Sequence, residues 1–252
     1  PKRVKSVYEF LKKKNFDFIK PKYCNEKDLL LVHEKDFVEE IKSEKFSYID
    51  SPSLPGIYNY ARLSVGSAIQ AMKIAVNGEK VFSLMRPPGH HAGRMGPALG
   101  IISLGFCYFN NIAIATKNAL KKVDKVSIID IDCHHGNGTQ EIFLGDDRVL
   151  YVSLHKDYFY PGTGRKSEEN CLNYPLSHGT TENEYIMTLE NALIQVKKFN
   201  PDMIGVSAGF DTFKNDPLTL GLGLDTKSFN KIGKLINDLK KPIFAVLEGG
   251  YG

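Results

Sequence analysis

The 252-residue chain contains no stretch of about 18 uncharged apolar residues, so no transmembrane helix is expected. Its first residues, PKRVKSVYEFLKKK, are basic but include no apolar core segment, and they do not resemble a secretory signal. The four cysteines form no CxxC pair. In a chain of this length they do not indicate a disulfide framework, and we expect a reducing, cytoplasmic location.

The excess of positive over negative charge is also small, because the net charge at pH 7 is only +4. The lysines are scattered, and the run at residues 12–14 fits the solvated end of a helix. A nucleic-acid surface needs a denser basic stripe. We therefore expect no direct nucleic-acid or membrane partner.

Five apolar, β-branched runs are the main structural signal. They are continuous rather than alternating, as expected for parallel strands covered on both faces. The segments between them have apolar residues at three- and four-residue spacing, which predicts helices, and Thr181 with Glu184 matches a capping box. The pattern predicts one α/β domain, in which a mainly parallel central sheet is flanked by helices. The predicted strands are 80–85, 125–130, 148–154, 202–208 and 242–248, and the predicted helices are 58–76, 110–122, 181–199 and 225–239.

Polar residues that can carry chemistry follow each predicted strand. Ligands bind at the carboxyl edge of the strands in open α/β sheets, so these loops are expected to form one site. Five of the seven histidines lie in them. In chain order the loops contain RPPGHHAG, DIDCHHGNG, SLH with PGTG, GFDTFKNDP and GGYG.

The stretch SIIDIDCHHGNGTQ places unusual charge at the end of a strand. If strand alternation continues through it, Asp130, Asp132 and His134 share one side, and Cys133 faces the other. Asp-x-His supplies oxygen and nitrogen ligands that suit zinc, and Asp211 is the best further ligand. We therefore predict a divalent metal site, with Cys133 packed in the core. The alternative is a hydrogen-bonded edge without metal.

The loop RPPGHHAG presents His90 and His91 together. Pro87 and Pro88 stiffen its approach, and Gly89 permits a tight turn. Catalysis beside a metal needs a proton shuttle with a pKa near neutral, which histidine provides. Adjacent histidines in a turn can also be packing residues.

Six motifs, in this order and spacing, resemble the zinc-dependent histone deacetylase family, which includes bacterial and archaeal deacetylase-like proteins and acetylpolyamine amidohydrolases. The resemblance covers essentially the whole chain. It implies an arginase/deacetylase-like catalytic domain over residues 1–252, with its active site at the carboxyl ends of the strands. The implied reaction removes an acetyl or other short acyl group from the ε-amine of lysine in proteins or peptides. The motifs are RPPGHH, GFCYFNN, DIDCHHGNG, SLH…PGTG, GFDTFKNDP and EGGYG.

The resemblance also implies the ion ligands. The three ligands of the catalytic metal, Zn²⁺ or Fe²⁺, fall on Asp132, His134 and Asp211, in agreement with the alternation argument. A structural potassium ion is bound in this family partly through main-chain oxygens. Its ligands fall on Asp130, Asp132, His134, Ser153 and Leu154.

The catalytic residues implied by the resemblance surround the tandem histidines. His91 matches the residue that takes a proton from the attacking water and passes it to the leaving amine. His90 matches an electrostatic partner held by Asp130, and Tyr251 matches the hydrogen-bond donor to the substrate carbonyl. Asn137 stands where many members have an aspartate that orients the second histidine, although another branch has asparagine. Because asparagine carries no charge, His91 should be less basic than beside aspartate.

The resemblance places the substrate between a rim and a tunnel. Asp50 matches the rim aspartate that grips the substrate backbone, and Gly105 with Phe106 matches the tunnel around the acyl-lysine stem. Tyr160 replaces a common phenylalanine, so its hydroxyl would narrow the tunnel or add a hydrogen bond. Leu218 stands where some polyamine-selective members have an acidic gatekeeper, which favours acyl-lysine over an acetylated small amine.

Three alternatives remain open. An acetylpolyamine deacetylase would use the same chemistry on a different substrate. A two-metal ureohydrolase is disfavoured, because Gly136 and Gly209 stand where further carboxylates would be needed. A non-catalytic acetyl-lysine binding module is the third, since both chain ends look clipped relative to the family and Tyr251 is the penultimate residue.

Overall fold

Six parallel strands form one central sheet in the computed structural model, which describes residues 2–251. The strands are β1 (Lys80–Ser83), β2 (Val126–Asp130), β3 (Val149–Lys156), β4 (Cys171–Leu176), β5 (Met203–Ala208) and β6 (Ile243–Leu247). They lie in the order β1-β6-β5-β2-β3-β4, and every neighbouring pair is parallel. The predicted α/β class with a central parallel sheet is therefore confirmed.

Strand β4 was not among the predicted strands. Its sequence, CLNYPL, mixes polar residues with a proline, and only three of its six residues are buried. Both properties suit a strand at the edge of a sheet, where Pro175 is tolerated because no central ladder is interrupted. The prediction relied on continuous apolar runs, and β4 has none, whereas the other edge strand, β1, lies within such a run.

Eight helices lie in the described part of the chain. The four predicted helices correspond to α4, α5, α7 and α8 within three residues at each end, and the lysine run at 12–14 lies at the end of α1, as predicted. Thr181 and Glu184 form the predicted capping box at the start of α7. No described helix is long and apolar enough to cross a membrane. The bounds are α1 (Lys2–Lys13), α2 (Glu26–Leu29), α3 (Lys35–Ser43), α4 (Ile57–Ala75), α5 (Asn111–Ala119), α6 (Asn137–Phe143), α7 (Glu182–Phe199) and α8 (Thr226–Asn237).

Two apolar clusters cover the two faces of the sheet. Ile128 packs into the cluster that contains α4 and α5, whereas its neighbour Ile129 packs into the cluster that contains α7 and α8. Successive strand residues therefore meet different layers, which explains the continuous apolar runs. With both faces covered, the polar loops remain at the carboxyl edge of the sheet.

Candidate active site

Asp132, His134 and Asp211 meet at the carboxyl edge of the sheet, beyond β2 and β5. Their ligand atoms all lie within 4.8 Å of one another, and all three residues are buried. His134 Nδ1 lies 2.9 Å from Asp132 Oδ1 and 3.0 Å from Asp211 Oδ2. Within residues 2–251, this is the one such group of three or more His, Cys, Asp or Glu residues. The structure thus brings together the three predicted metal ligands.

The surroundings of this group fit a cation. Asp211 Oδ2 is enclosed, and although it lies 3.0 Å from His134 Nδ1, it forms no hydrogen bond with any of the described residues. Burial and the negative charge of Asp132 raise the pKa of Asp211 above its usual range, because two close carboxylates destabilise each other's ionised form. A Cβ atom at Gly249 would collide with both carboxylates. An orphaned oxygen, two repelling carboxylates and an imidazole nitrogen around this small space match the donor set of a zinc site.

Asp130 and Asp132 share one side, as the alternation predicts, since both face His90, at 3.0 and 3.8 Å respectively. Ile131 packs into the opposite apolar cluster. Asp130 is nevertheless not part of the group of three possible ligands. The Asp130 carboxylate instead accepts hydrogen bonds from His90 Nδ1 and from the Tyr151 hydroxyl, each at 3.0 Å. Cys133 packs in the apolar cluster beside α7 and α8, as predicted.

His90 is a buried, positively charged partner of this carboxylate. Burial alone would lower its pKa, but Asp130, Asp132 and Glu248 outweigh burial and raise the pKa of His90 to about 10. His90 therefore carries a proton on both ring nitrogens near neutral pH. A group that remains protonated contributes charge rather than a movable proton.

His91 has the opposite electrostatic environment. Its Nδ1 lies 2.8 Å from Asn137 Oδ1, while Asn137 Nδ2 donates to the Ala98 carbonyl at 3.0 Å. Since the amide nitrogen is committed to Ala98, Oδ1 is the acceptor and His91 Nδ1 carries the hydrogen. Burial and the charge on His90 hold the pKa of His91 well below its usual range. Neutral His91 therefore keeps a lone pair on Nε2, as a general base requires.

A narrow cavity of about 170 Å³ leads from the surface to these groups. Gly105 has a positive φ of 55°, and a Cβ there would collide with the His91 ring, so the tunnel wall approaches the histidine closely only because this residue is glycine. Burial, together with Asp132 and Asp211, raises the pKa of Tyr251, which keeps its phenol protonated. The cavity is lined by Asp50, His91, Gly105, Phe106, His134, Tyr160, Leu218 and Tyr251. All five predicted substrate-binding residues are among them.

The structure gives two of these residues specific partners. The Asp50 carboxylate accepts hydrogen bonds from the backbone N–H groups of Leu104 and Gly105, both at 2.9 Å. Asp50 therefore supports the tunnel wall as well as facing the cavity. The Tyr160 hydroxyl lies 2.9 Å from the Ser103 hydroxyl, so the extra oxygen adds a hydrogen bond, which was one of the two predicted effects.

Two functional candidates were missed by the sequence analysis. Asp216 accepts the backbone N–H of Tyr251 at 2.7 Å, and Glu248 accepts that of Gly89 at 2.7 Å. Both are buried acids inside the motifs GFDTFKNDP and EGGYG. Their place inside motifs that carry candidate site residues was the available signal. The backbone N–H groups that they accept depend on how the loops fold, so the sequence does not identify these partners.

The predicted potassium site is not tested by the side chains alone. The register places Ser153 opposite Asp130 on the neighbouring strand, and Ser153 and Leu154 are fully buried. The Ser153 hydroxyl lies 2.8 Å from His155 Nδ1. Potassium binding at Asp130, Asp132, His134, Ser153 and Leu154 stays a prediction.

Known proteins resemble the whole chain. The histone deacetylase domain family matches residues 1–252. A probable deacetylase of Archaeoglobus fulgidus is 38% identical over 253 residues, covering 92% of this chain and 68% of the relative. Acetylpolyamine amidohydrolase 1 of Pseudomonas aeruginosa is 36% identical, covering 80% and 60%, respectively. The crystal structure of the HDA15 HD domain superposes with a TM-score of 0.91 and 31% identity, covering all of this chain and 79% of that one.

Proposed function

Since the chain belongs to the histone deacetylase family, we propose that residues 1–252 form one catalytic domain that removes an acetyl or other short acyl group from the ε-amine of lysine. The observation that carries this proposal is the narrow cavity in which His91, His134 and Tyr251 meet. A general base, a metal ligand and a phenol donor at one end of a tunnel are the groups that amide hydrolysis requires.

Asp132, His134 and Asp211 would bind the metal in this proposal, with Zn²⁺ as the preferred ion and Fe²⁺ as the alternative. When bound, such an ion polarises the substrate carbonyl and lowers the pKa of water. The chain supplies three ligands, which leaves coordination positions open, as in catalytic rather than structural zinc sites.

His91 performs the proton transfers. Its Nε2 accepts a proton from the attacking water, because Nδ1 already carries a hydrogen that is donated to Asn137. The same proton then passes from Nε2 to the leaving ε-amine, which departs as a neutral amine. His90 remains protonated through Asp130, so its charge keeps His91 a weak base that readily returns the proton.

Tyr251 and the tunnel walls position the substrate. The protonated phenol donates a hydrogen bond to the carbonyl oxygen, on which negative charge develops during attack. Phe106 and Tyr160 line the cavity and offer apolar surface to an extended methylene chain while excluding water. Potassium would be held by Asp130, Asp132, His134, Ser153 and Leu154, and its charge would stabilise the loop after β2.

The mouth of the cavity favours an acyl-lysine over an acetylated polyamine. Leu218 and Phe106, which are 59% and 42% exposed, offer apolar surface there. Among the lining residues at the mouth, Asp50 is the carboxylate, and it already accepts two backbone hydrogen bonds. A distant ammonium therefore meets little free negative charge. Acetylpolyamine remains the second candidate, because Acetylpolyamine amidohydrolase 1 is a relative over most of the chain.

A substrate panel tests this proposal. The metal-reconstituted protein is offered an acetyl-lysine peptide, longer acyl-lysine peptides and acetylated polyamines, and free acid release is measured as kcat/KM. We expect the highest kcat/KM with one of the acyl-lysine peptides. Higher values with acetylpolyamines would favour the second candidate, and binding of acetyl-lysine without hydrolysis would favour a non-catalytic module.

A further inference from the structure

We infer that Glu248 is a positioning residue for the reaction proposed above, because its side chain fixes the turn that carries His90 and His91 against the strand end that carries Tyr251. This role rests on the proposed deacetylation for its kinetic consequences. Its structural basis can be tested independently of any activity.

The carboxylate of Glu248 reaches across the sheet edge to the loop that follows β1. Oε2 accepts the backbone N–H of Gly89 at 2.7 Å and lies 3.4 Å from the backbone nitrogen of His90. Oε1 lies 3.4 Å from the Ser207 hydroxyl on β5. Glu248 is fully buried, so water cannot replace these bonds, and a buried N–H without a partner is unfavourable.

The backbone of Glu248 is equally well anchored. Its N–H donates to the Ala208 carbonyl at 3.0 Å, and its own carbonyl accepts from the guanidinium groups of Arg3 and Arg86. The next residue, Gly249, donates its N–H to Asp132 Oδ2 at 2.7 Å. The backbone of Glu248 is therefore held firmly in place, so the side chain can define the position of the turn that carries His90 and His91.

Glu248 thereby fixes the positions of His91 and Tyr251, which lie on different loops, relative to each other. His91 follows Gly89 by two residues, and Tyr251 follows Glu248 by three. A displacement of about 1 Å between reacting groups can lower a rate by about 10², so one buried acceptor can affect turnover without touching substrate. Burial raises the pKa of Glu248 to about 7. The acceptor function does not depend on full ionisation, because a neutral side chain of the same length retains an oxygen.

Two conservative substitutions distinguish the effect of the length of the Glu248 side chain from the effect of its charge. Glu248→Gln keeps the length and one acceptor oxygen but removes the charge, whereas Glu248→Asp keeps the charge and withdraws it by one methylene, roughly 1.5 Å. We expect Glu248→Asp to lower kcat by about 10- to 100-fold with KM changed less than about threefold, and Glu248→Gln to stay within about threefold of wild type. Metal content and thermal unfolding are measured for both variants.

Asp202→Asn is a control at a second carboxylate that bonds backbone N–H groups, although Asp202 is exposed and Glu248 is buried. Asp202 also accepts two consecutive backbone N–H groups, from Asp124 and Lys125, but it lies at the opposite edge of the sheet, where β2 and β5 begin. The Asp202→Asn substitution should leave kcat and KM unchanged. An effect of Asp202→Asn equal to that of Glu248→Asp would show general destabilisation and overturn the role of Glu248.

Amide hydrogen exchange supplies a readout independent of catalysis. In Glu248→Asp, the Gly89 and His90 amides should exchange at least about tenfold faster than in wild type, whereas amides within β6 should not change. Unchanged exchange at Gly89, or a larger loss of kcat in Glu248→Gln than in Glu248→Asp, would overturn the inference. If wild type hydrolyses no substrate of the panel, the proposed function fails, and the exchange comparison still decides the positioning role.

Discussion

Replacing Asn137 by aspartate should raise the pKa of His91 and shift the pH dependence of the reaction. In the structure, the Asn137 side-chain oxygen lies 2.8 Å from His91 Nδ1, and both side chains are buried. A carboxylate there would stabilise the imidazolium by about 4 kcal/mol for charges 4 Å apart at an effective dielectric constant of 20. That energy corresponds to about three pKa units. Because burying the new carboxylate offsets part of it, a rise of about one to three units is expected.

The sign of the effect follows from the proposed role of His91 as a base. Below its pKa, His91 is protonated and cannot accept a proton, so the acidic limb of kcat/KM against pH should move to higher pH by the same amount. The assay is acetate release from an acetyl-lysine peptide across the range in which histidine titrates. Asn118→Asp is the control, because it places the same new charge on α5, where Asn118 donates a hydrogen bond to the Ile114 carbonyl and accepts one from Lys121. This variant should not move the acidic limb of the pH profile. An unmoved acidic limb in a folded, metal-loaded Asn137→Asp would refute the reasoning.

The remaining site residues give three further expectations. His91→Ala should lower turnover by roughly 10²–10⁴, and His90→Ala should lower it less; the reverse order with metal retained would show that the two roles are wrongly assigned. Tyr251→Phe deletes one hydrogen-bond donor and should lower kcat by about 10²–10³, with metal content unchanged; wild-type turnover would remove Tyr251 from the mechanism. Leu218→Glu should raise kcat/KM for acetylpolyamines relative to acetyl-lysine peptides, since a carboxylate at the mouth attracts a distant ammonium; an unchanged ratio would assign substrate choice to other loops.

The buried strands and long helices could be predicted because each has a repeating pattern. A strand covered on both faces must be apolar throughout, and β2 and β5 are buried at every position. The long helices show the spacing of a one-sided apolar stripe. Strand β4 and the short helices α2, α3 and α6 were not predicted, because each is too short for a pattern to repeat several times. Helix α6 also has no one-sided apolar stripe, since Asn137, Gly138 and Thr139 are buried along with Ile142 and Phe143.

The grouping of Asp132, His134 and Asp211 was predictable from their chemistry and their place after strands. The resemblance also implied the contact between His90 and Asp130, but the other partners of the neighbouring residues were not predictable. Asp130 turns towards Tyr151, a residue inside an apolar run that indicated only a strand. Asp216 and Glu248 act on backbone N–H groups of loops distant in sequence. Such contacts depend on where loops meet after folding, and side-chain patterns alone do not determine them.

Metal stoichiometry decides whether Asp132, His134 and Asp211 form a single metal centre. Purified wild type, metal-free wild type reloaded with zinc or iron, and Asp132→Ala are compared by elemental analysis and acetate release, with Asp202→Asn as a control that leaves the ligands intact. We expect about one equivalent of metal per chain in wild type and in the control, as for a single three-ligand site. Asp132→Ala should lose both metal and activity. Two equivalents in the active site, or metal retained by Asp132→Ala, would contradict a mononuclear centre formed by Asp132, His134 and Asp211.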